Sequence, residues 1–579
     1  MHCTLYFVVE NYECSKPISL YRLEGVKSLR PYLYEKLTSY EEENIYPFHM
    51  PGHKRRIKNL IQNPYEIDIT EIDGFDNLND PQDIIKQSME ETAKFYGTKK
   101  TFYLVNGSTV GILAAITATC KRGDKILMAR NCHKAVYNAV RLLELDPIYL
   151  PLTYIPERNM FGGIDEERLC EILKEEEGIK AVIITSPTYE GIVMHIERIK
   201  MWINPYKIPL IVDEAHGAHF PFYENFPQSA IKKGADIVIQ SLHKTMPAFT
   251  QTALLHICTD QISEEKVQDS ISIYQSSSPS YLLMAGIEYA IHYGIENKNS
   301  FREYEKLLDF YRKKIQGLKH ISLLEKEELK QYGAYDFDPC KLVIFFQNTK
   351  LTGNEISDIL LKQYGLQMEM SERDYVIAIS TICDSKEGFD RLYYALEDLD
   401  RKIGMENGED PSHKQEKIHV ITDGQIKRYL PSEALQMKTK KCNLNEAKDA
   451  ICGSYIYIYP PGIPILVPGE QIKQSDIALI ESYLESGFYV KGITREEIHD
   501  IMSVSEQEQA KPIQCQRRMA IISSAYDIMS VSEQEQAEPI QCEQSMENIN
   551  SNKEESSAVT RICYSITVIE ENDRKRERN

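Results

Sequence analysis

Between about Asn44 and Cys258 the chain alternates short, β-branched apolar runs with helical stretches, and this alternation constrains the fold more than any other feature. The runs Lys125–Ala129, Ala181–Thr185, Pro209–Val212, Ala235–Gln240 and Thr252–Ile257 have the length and Val/Ile/Leu content of buried strands. Thr109–Thr119 and Asp165–Glu175 are among the helical stretches between them. Such alternation implies a mostly parallel sheet covered by helices on both faces. Ligands of such sheets sit at the carboxyl ends of the strands. Polar residues just past those ends are therefore the candidates for chemistry.

The pattern then changes. From about Glu264 to Lys402 it is α+β, with strands at Leu342–Phe346 and Tyr375–Ile379 and a helix at Gly388–Leu399. Gly404–His413 is rich in Gly, Pro and charge and reads as a linker. The expected divisions are an N-terminal extension 1–30, a large domain 31–263, a small domain 264–403, a linker 404–416 and a C-terminal domain 417–499. A repeat-bearing insertion 500–557 and a terminal strand with a charged tail, 558–579, follow. The insertion repeats itself: Asp500–Ala510 recurs as Asp527–Ala537, and Pro512–Cys515 as Pro539–Cys542. Two copies are too few for a solenoid, and the Gln/Glu/Ser composition reads as disordered. Thr560–Ile569 alternates well enough for a strand.

The formal charge of −20 over 579 residues excludes a general nucleic-acid binder and an anionic membrane surface, and mildly favours cationic small ligands. No apolar run approaches the roughly 18 residues of a membrane span, and the patch Leu5–Val9 is too short for a signal peptide. Thirteen scattered cysteines read as reduced thiols of a cytoplasmic protein. No second ligand pair stands at zinc spacing from Cys132-His133 or from His216 and His219, so no metal is expected.

Four strand-end segments carry chemistry. Asn106-Gly107-Ser108-Thr109 opens a helix after the run Phe102–Val105, where free N–H groups and hydroxyls can hold a phosphate. Asn131-Cys132-His133-Lys134 follows Ala129 and places a histidine able to lie on an aromatic ring. Asp213-Glu214-Ala215-His216 follows Leu210–Val212; an aspartate there calls for a cation such as a protonated pyridine nitrogen, with Ala215 leaving room for the ring. Ser241-Leu242-His243-Lys244-Thr245 follows a fourth strand and offers a lysine for a Schiff base with an aldehyde cofactor. Taken singly, each also reads as an ordinary cap or solvated loop. Asp213–His216 further matches the magnesium motif of DEAH-box helicases, but Gly97–Thr101 lacks the second glycine of a phosphate loop.

In their order, these segments resemble the fold type I pyridoxal-phosphate (PLP) enzymes. Pro47–Lys54, Val105–Thr109, Asn131–Lys134, Ser186–Tyr189, Ser241–Thr245 and Tyr459–Pro464 narrow the resemblance to the bacterial ornithine/lysine/arginine decarboxylase family, over roughly Arg30 to Gly492. The chain looks like the short, biosynthetic-type branch, without an N-terminal wing domain. The resemblance implies an aspartate-aminotransferase-like large domain with a small and a C-terminal α+β domain. It implies PLP as cofactor, decarboxylation of a basic amino acid (arginine, then lysine or ornithine) in polyamine biosynthesis, and a homodimer or higher oligomer. Lys244 would carry the cofactor, Asp213 pair with its ring nitrogen and His133 stack on the ring. Ser108, Thr109, Ser241 and His243 would hold the phosphate, and Thr188 and His216 lie near the ring hydroxyl and substrate carboxylate. Ser276 and Ser278, in Gln275–Pro279, would reach a neighbouring subunit's phosphate. Glu369 and Glu470 are the candidates for the substrate's cationic end. Arg55-Arg56 and Asn79 depart from the family pattern. Another PLP reaction such as transamination, or a non-catalytic regulatory relative, remains open; the joint presence of Lys244, Asp213 and His133 argues against the latter.

Overall fold

The computed structural model describes residues 32–57, 63–407, 425–458, 462–501 and 558–570. The N-terminal extension, Tyr459–Pro461, the repeats beyond Ile501 and most of the expected linker lie outside these residues.

Seven strands form the central sheet: β1 (Lys100–Leu104), β2 (Lys125–Ala129), β3 (Asp146–Leu150), β4 (Ile179–Thr185), β5 (Leu210–Asp213), β6 (Ile237–Gln240) and β7 (Ala253–Ile257). Their order is β1-β7-β6-β5-β4-β2-β3, and all but β7 run parallel. The inner strands are buried on both faces, which is why they read as unbroken apolar runs rather than alternating ones. Strand β3, absent from the sequence reading, carries Pro147 and sits at the sheet edge, where a missing backbone donor is tolerated.

The helix Gly107–Thr119 packs on this sheet with no polar face, since Val110, Ile112, Ala114, Ala115 and Ile116 are all buried. Gly111 permits the approach: a Cβ there would lie 2.8 Å from Leu104 and 3.0 Å from Ile239. The helix Lys134–Leu142 is amphipathic and begins at His133, whose Nδ1 accepts from the N–H of Ala135 at 3.2 Å.

The small domain is a four-stranded antiparallel sheet in the order Ile321–Leu323, Lys341–Phe346, Tyr375–Ile379, Met370–Ser371. Its last helix runs Lys386–Asn407, past the boundary expected at 403. Tyr46–Phe48 pairs in parallel with Leu366–Met368, so the start of the expected large domain is stitched to the small one. In the C-terminal domain, Ala558–Ile569 lies between Thr439–Asn443 and Ile493–Ile501, antiparallel to both. Ile566 and Val568 are buried there with Ile456, Leu466, Ile477 and Ile480.

Candidate active site

Sheet register assembles the site. Asp213, the last residue of β5, is paired with Thr185 at the end of β4 and with Ile239 near the end of β6. The segments that leave these strands, Ser186–Tyr189, Ala215-His216 and Ser241–Lys244, therefore emerge side by side. They border a cavity of about 1020 Å³ with Asn106–Thr109, Asn131, His133, Thr250 and Gln251. That is the size of a large small-molecule site. Ser108, Thr109, His133, Thr188, Asp213, Ala215, His216, His243 and Lys244 all line it.

Phosphate chemistry fits one end. Gly107 takes φ +78 as the chain turns into its helix, and its N–H donates to the carbonyl of Gln251 at 2.8 Å. A Cβ there would meet nothing within 4 Å, so the space over this helix N-terminus is open. Ser241 is fully buried, and its hydroxyl has no partner among the described residues. The Nδ1–H of His243 donates to the carbonyl of Thr252 at 2.9 Å. Burial, with Lys244 beside it, brings the His243 imidazole down to about 4 despite that bond, so it is neutral at pH 7.

A cationic ring nitrogen fits the middle. Asp213 is buried, and among the described residues its carboxylate receives one hydrogen bond, from the N–H of Ala215 at 3.1 Å. Burial raises its pKa above the ordinary range, with Lys244 opposing. The carboxylate is thus short of a partner that a protonated pyridine would supply. His133 is brought down to about 4 by burial and then by Lys244, which leaves a neutral ring suited to stacking.

Lys244 Nζ lies 3.0 Å from Nε2 of His216, and Nδ1 of the same imidazole lies 2.8 Å from Nζ of Lys341. Burial lowers the pKa of Lys244, opposed by Asp213 and Glu369. The ring of Tyr189 packs against His216 at 4.7 Å between centroids.

Five expected positions lie outside the lining, the first being the buried Ser241 described above. Ser276 and Ser278 are exposed outside the lining, where the Ser276 N–H donates to Asn106 Oδ1 at 3.0 Å. Glu369 accepts from the N–H of Met50 at 2.8 Å and from the Tyr189 hydroxyl. Glu470 is buried and ion-paired with Arg130 at 3.0 Å, and its Oε2 accepts from the N–H of Val467 at 2.7 Å. Neither carboxylate is part of the cavity lining. The lining carries Glu190, Glu372 and Asp374 instead, with Arg373 among them and ion-paired to Asp374 at 3.4 Å, and sequence reasoning missed all four. Lys341 was missed as well. Its one local signal is a lysine that runs directly into the buried strand Leu342–Phe346.

A mostly parallel sheet whose carboxyl edge gathers Lys244, Asp213, His133 and an open helix N-terminus defines a fold type I PLP enzyme. The family models narrow this class: Orn/Lys/Arg decarboxylase, major domain, matches residues 31–382, and its C-terminal domain matches residues 427–492. The chain belongs to the Orn/Lys/Arg decarboxylase family. It is a PLP-dependent carboxy-lyase acting on a basic amino acid. It is 30% identical to an arginine decarboxylase of Bacillus subtilis over 82% of this chain and 98% of that protein. It is 21% identical to the constitutive lysine decarboxylase of Escherichia coli over 80% of this chain and 78% of that protein. Among solved structures, the lysine decarboxylase of Francisella novicida shares the fold with a TM-score of 0.64 at 19% identity, covering 80% of this chain and 82% of that one. Among the described residues, no helix is long and apolar enough to cross a membrane.

Proposed function

We propose that the chain decarboxylates arginine to agmatine in the cytoplasm, as a homodimer or larger oligomer. The observation that carries the substrate is the cavity itself, whose lining includes Lys244 and the carboxylates Glu190 and Glu372, while Arg373 already pairs with Asp374. Burial, and then Glu190, push the carboxyl of Glu372 up to about 7. A guanidinium placed there would relieve that repulsion. The Bacillus relatives named as arginine decarboxylases support the same choice. Scattered cysteines support the compartment. The exposed Ser276–Ser278 segment supports a subunit contact.

The chain's own residues then have these parts. Lys244 anchors the cofactor aldehyde through its amine. Ser108, Thr109, Ser241 and His243 hold the phosphate, with Ser276 and Ser278 serving a neighbouring subunit. Asp213 keeps the ring nitrogen protonated, His133 covers one ring face, and Ala215 leaves the ring its space. Thr188 and His216 flank the ring hydroxyl and the substrate carboxylate. PLP, when bound, supplies a protonated ring that takes up the electron pair left as carbon dioxide departs. Glu369 orients Tyr189, and through it His216, rather than gripping the substrate. Glu470 fixes Arg130.

Incubating the purified protein and PLP with arginine, lysine or ornithine, and measuring CO₂ with agmatine, cadaverine or putrescine, tests the reading. Agmatine with the highest kcat/KM is expected. Cadaverine or putrescine as the main product would overturn the substrate, and a keto acid without CO₂ would overturn the reaction.

A further inference from the structure

Two lysines share one imidazole. Nζ of Lys244 and Nζ of Lys341 lie 3.0 and 2.8 Å from the two ring nitrogens of His216. A neutral imidazole has one N–H and one lone pair, and an ammonium can only donate. Two ammonium groups therefore cannot both be bonded to this ring. One lysine has to be a neutral amine that accepts from the ring N–H.

The surroundings decide which. Lys341 is fully buried at the start of its strand, three residues after Asp338. Asp338 Oδ1 accepts from the N–H of Cys340 at 3.0 Å and lies 3.2 Å from Nε2 of His219. Burial opposes ionisation of Asp338, yet His219 and Lys341 hold its carboxyl below the ordinary range, so Lys341 faces a true carboxylate. Glu369 adds negative charge, and the Cys340 thiol is pushed up by burial and stays neutral. Burial still brings Lys341 down to about 8, which leaves it mainly charged at pH 7. Lys244 faces Asp213, whose carboxyl burial pushes up, and Glu369. It also stands beside three neutral imidazoles, His133, His216 and His243.

We propose that Lys341 is a positioning residue: its ammonium donates to Nδ1 of His216, fixes the tautomer that presents Nε2–H to Lys244, and so holds Lys244 as a neutral amine ready to bond a carbonyl carbon. Lys341 touches neither substrate nor cofactor in this arrangement and acts through His216. The proposal builds on the assignment of Lys244 as the cofactor lysine.

The test is competitive acetylation of the full-length chain freed of cofactor, followed site by site by mass spectrometry across pH, with exposed Lys313 as reference. Lys244 is expected to reach half-maximal reactivity well below the roughly 10 of an ordinary lysine. Lys341→Met is expected to raise that midpoint by about one unit or more, because Lys244 no longer shares its imidazole with a second cation. Lys341→Arg is expected to restore it. A wild-type Lys244 that titrates with Lys313, or a midpoint unmoved in Lys341→Met, overturns the proposal. Should Lys341→Met fail to fold, ¹⁵N spectra of histidine-labelled wild-type protein decide: His216 protonated at Nε2 supports the proposal, and at Nδ1 overturns it. Borohydride reduction of the PLP-loaded protein keeps the two readings apart. Cofactor mass on a lysine other than Lys244 would sink the site assignment, whereas the acetylation midpoints judge the lysine pair.

Discussion

Asp213 and Glu470 are both carboxylates at 3% exposure or less, yet the two regions treat them in opposite ways. Glu470, in the C-terminal domain, has Arg130 and the N–H of Val467. Asp213, at the carboxyl end of the central strand β5, has the N–H of Ala215 and a cavity. A buried charge left unpaired costs several kcal/mol, so a fold keeps one only where something else arrives to complete it. A buried carboxylate held in an ion pair therefore speaks for architecture, and one left without a counter-charge for chemistry.

Four measurements would break or sharpen that contrast, the first having the largest expected effect. Asp213→Asn removes the charge that keeps a ring nitrogen protonated. It is expected to lower kcat by about a thousandfold, about 4 kcal/mol in barrier, while the melting temperature holds or rises. A variant that lost stability and kept its rate would invert the assignment. Glu470→Gln leaves the Arg130 guanidinium without its counter-charge. Unfolding free energy, read from urea titration, is expected to fall by about 3 kcal/mol, with kcat of the folded fraction retained.

A smaller effect follows from pH. His133 and His243 are held down to about 4, and His256, bonded to Thr101 inside the sheet, to about 3. Below the ordinary histidine value of 6.5 the unfolded chain binds protons that the folded one refuses, so stability rises with pH across this window. Melting temperature is expected to fall steadily from pH 6.5 to 4, and a flat profile would contradict neutral burial of these rings. The smallest effect is expected from excising residues 502–557 and closing Ile501 to Ala558 with a short turn. These two residues are already cross-strand partners, so solubility and melting temperature should change little. An insoluble product would show that Ala558–Ile569 does not belong to the domain independently of that segment.

The central sheet was legible because doubly buried parallel strands leave continuous apolar runs, and strand ends then point to the polar residues that matter. The predictions of β2 at Lys125–Ala129 and of the small-domain strand Tyr375–Ile379 match residue for residue, β5 is shifted by one residue at each end, and the other expected strands differ by one or two residues at one end. Strand β3 was hidden because Pro147 speaks against a strand unless its edge position is known. Carboxylate roles were harder to read. Glu369 and Glu470 were singled out as acids for a cationic substrate, but their partners Met50 and Arg130 are 319 and 340 residues away in sequence. Lys341 reaches His216 across 125 residues. Which charge meets which partner is fixed by domain docking, and no local period or spacing records it.

The cavity is bordered by all three domains: Lys244 and His133 from the large one, Glu372, Asp374 and Tyr375 from the small one, and Ile458, Ile465 and Tyr483 from the C-terminal one. Whatever fills it therefore acts as mortar. Ligand present at a hundred times its Kd adds about 2.7 kcal/mol to the assembled form, and that free energy is shared by every boundary the ligand spans. Occupancy and cohesion of the three domains are in this sense one quantity. A chain that loses its grip on the cofactor loosens at its seams before its sheet begins to melt.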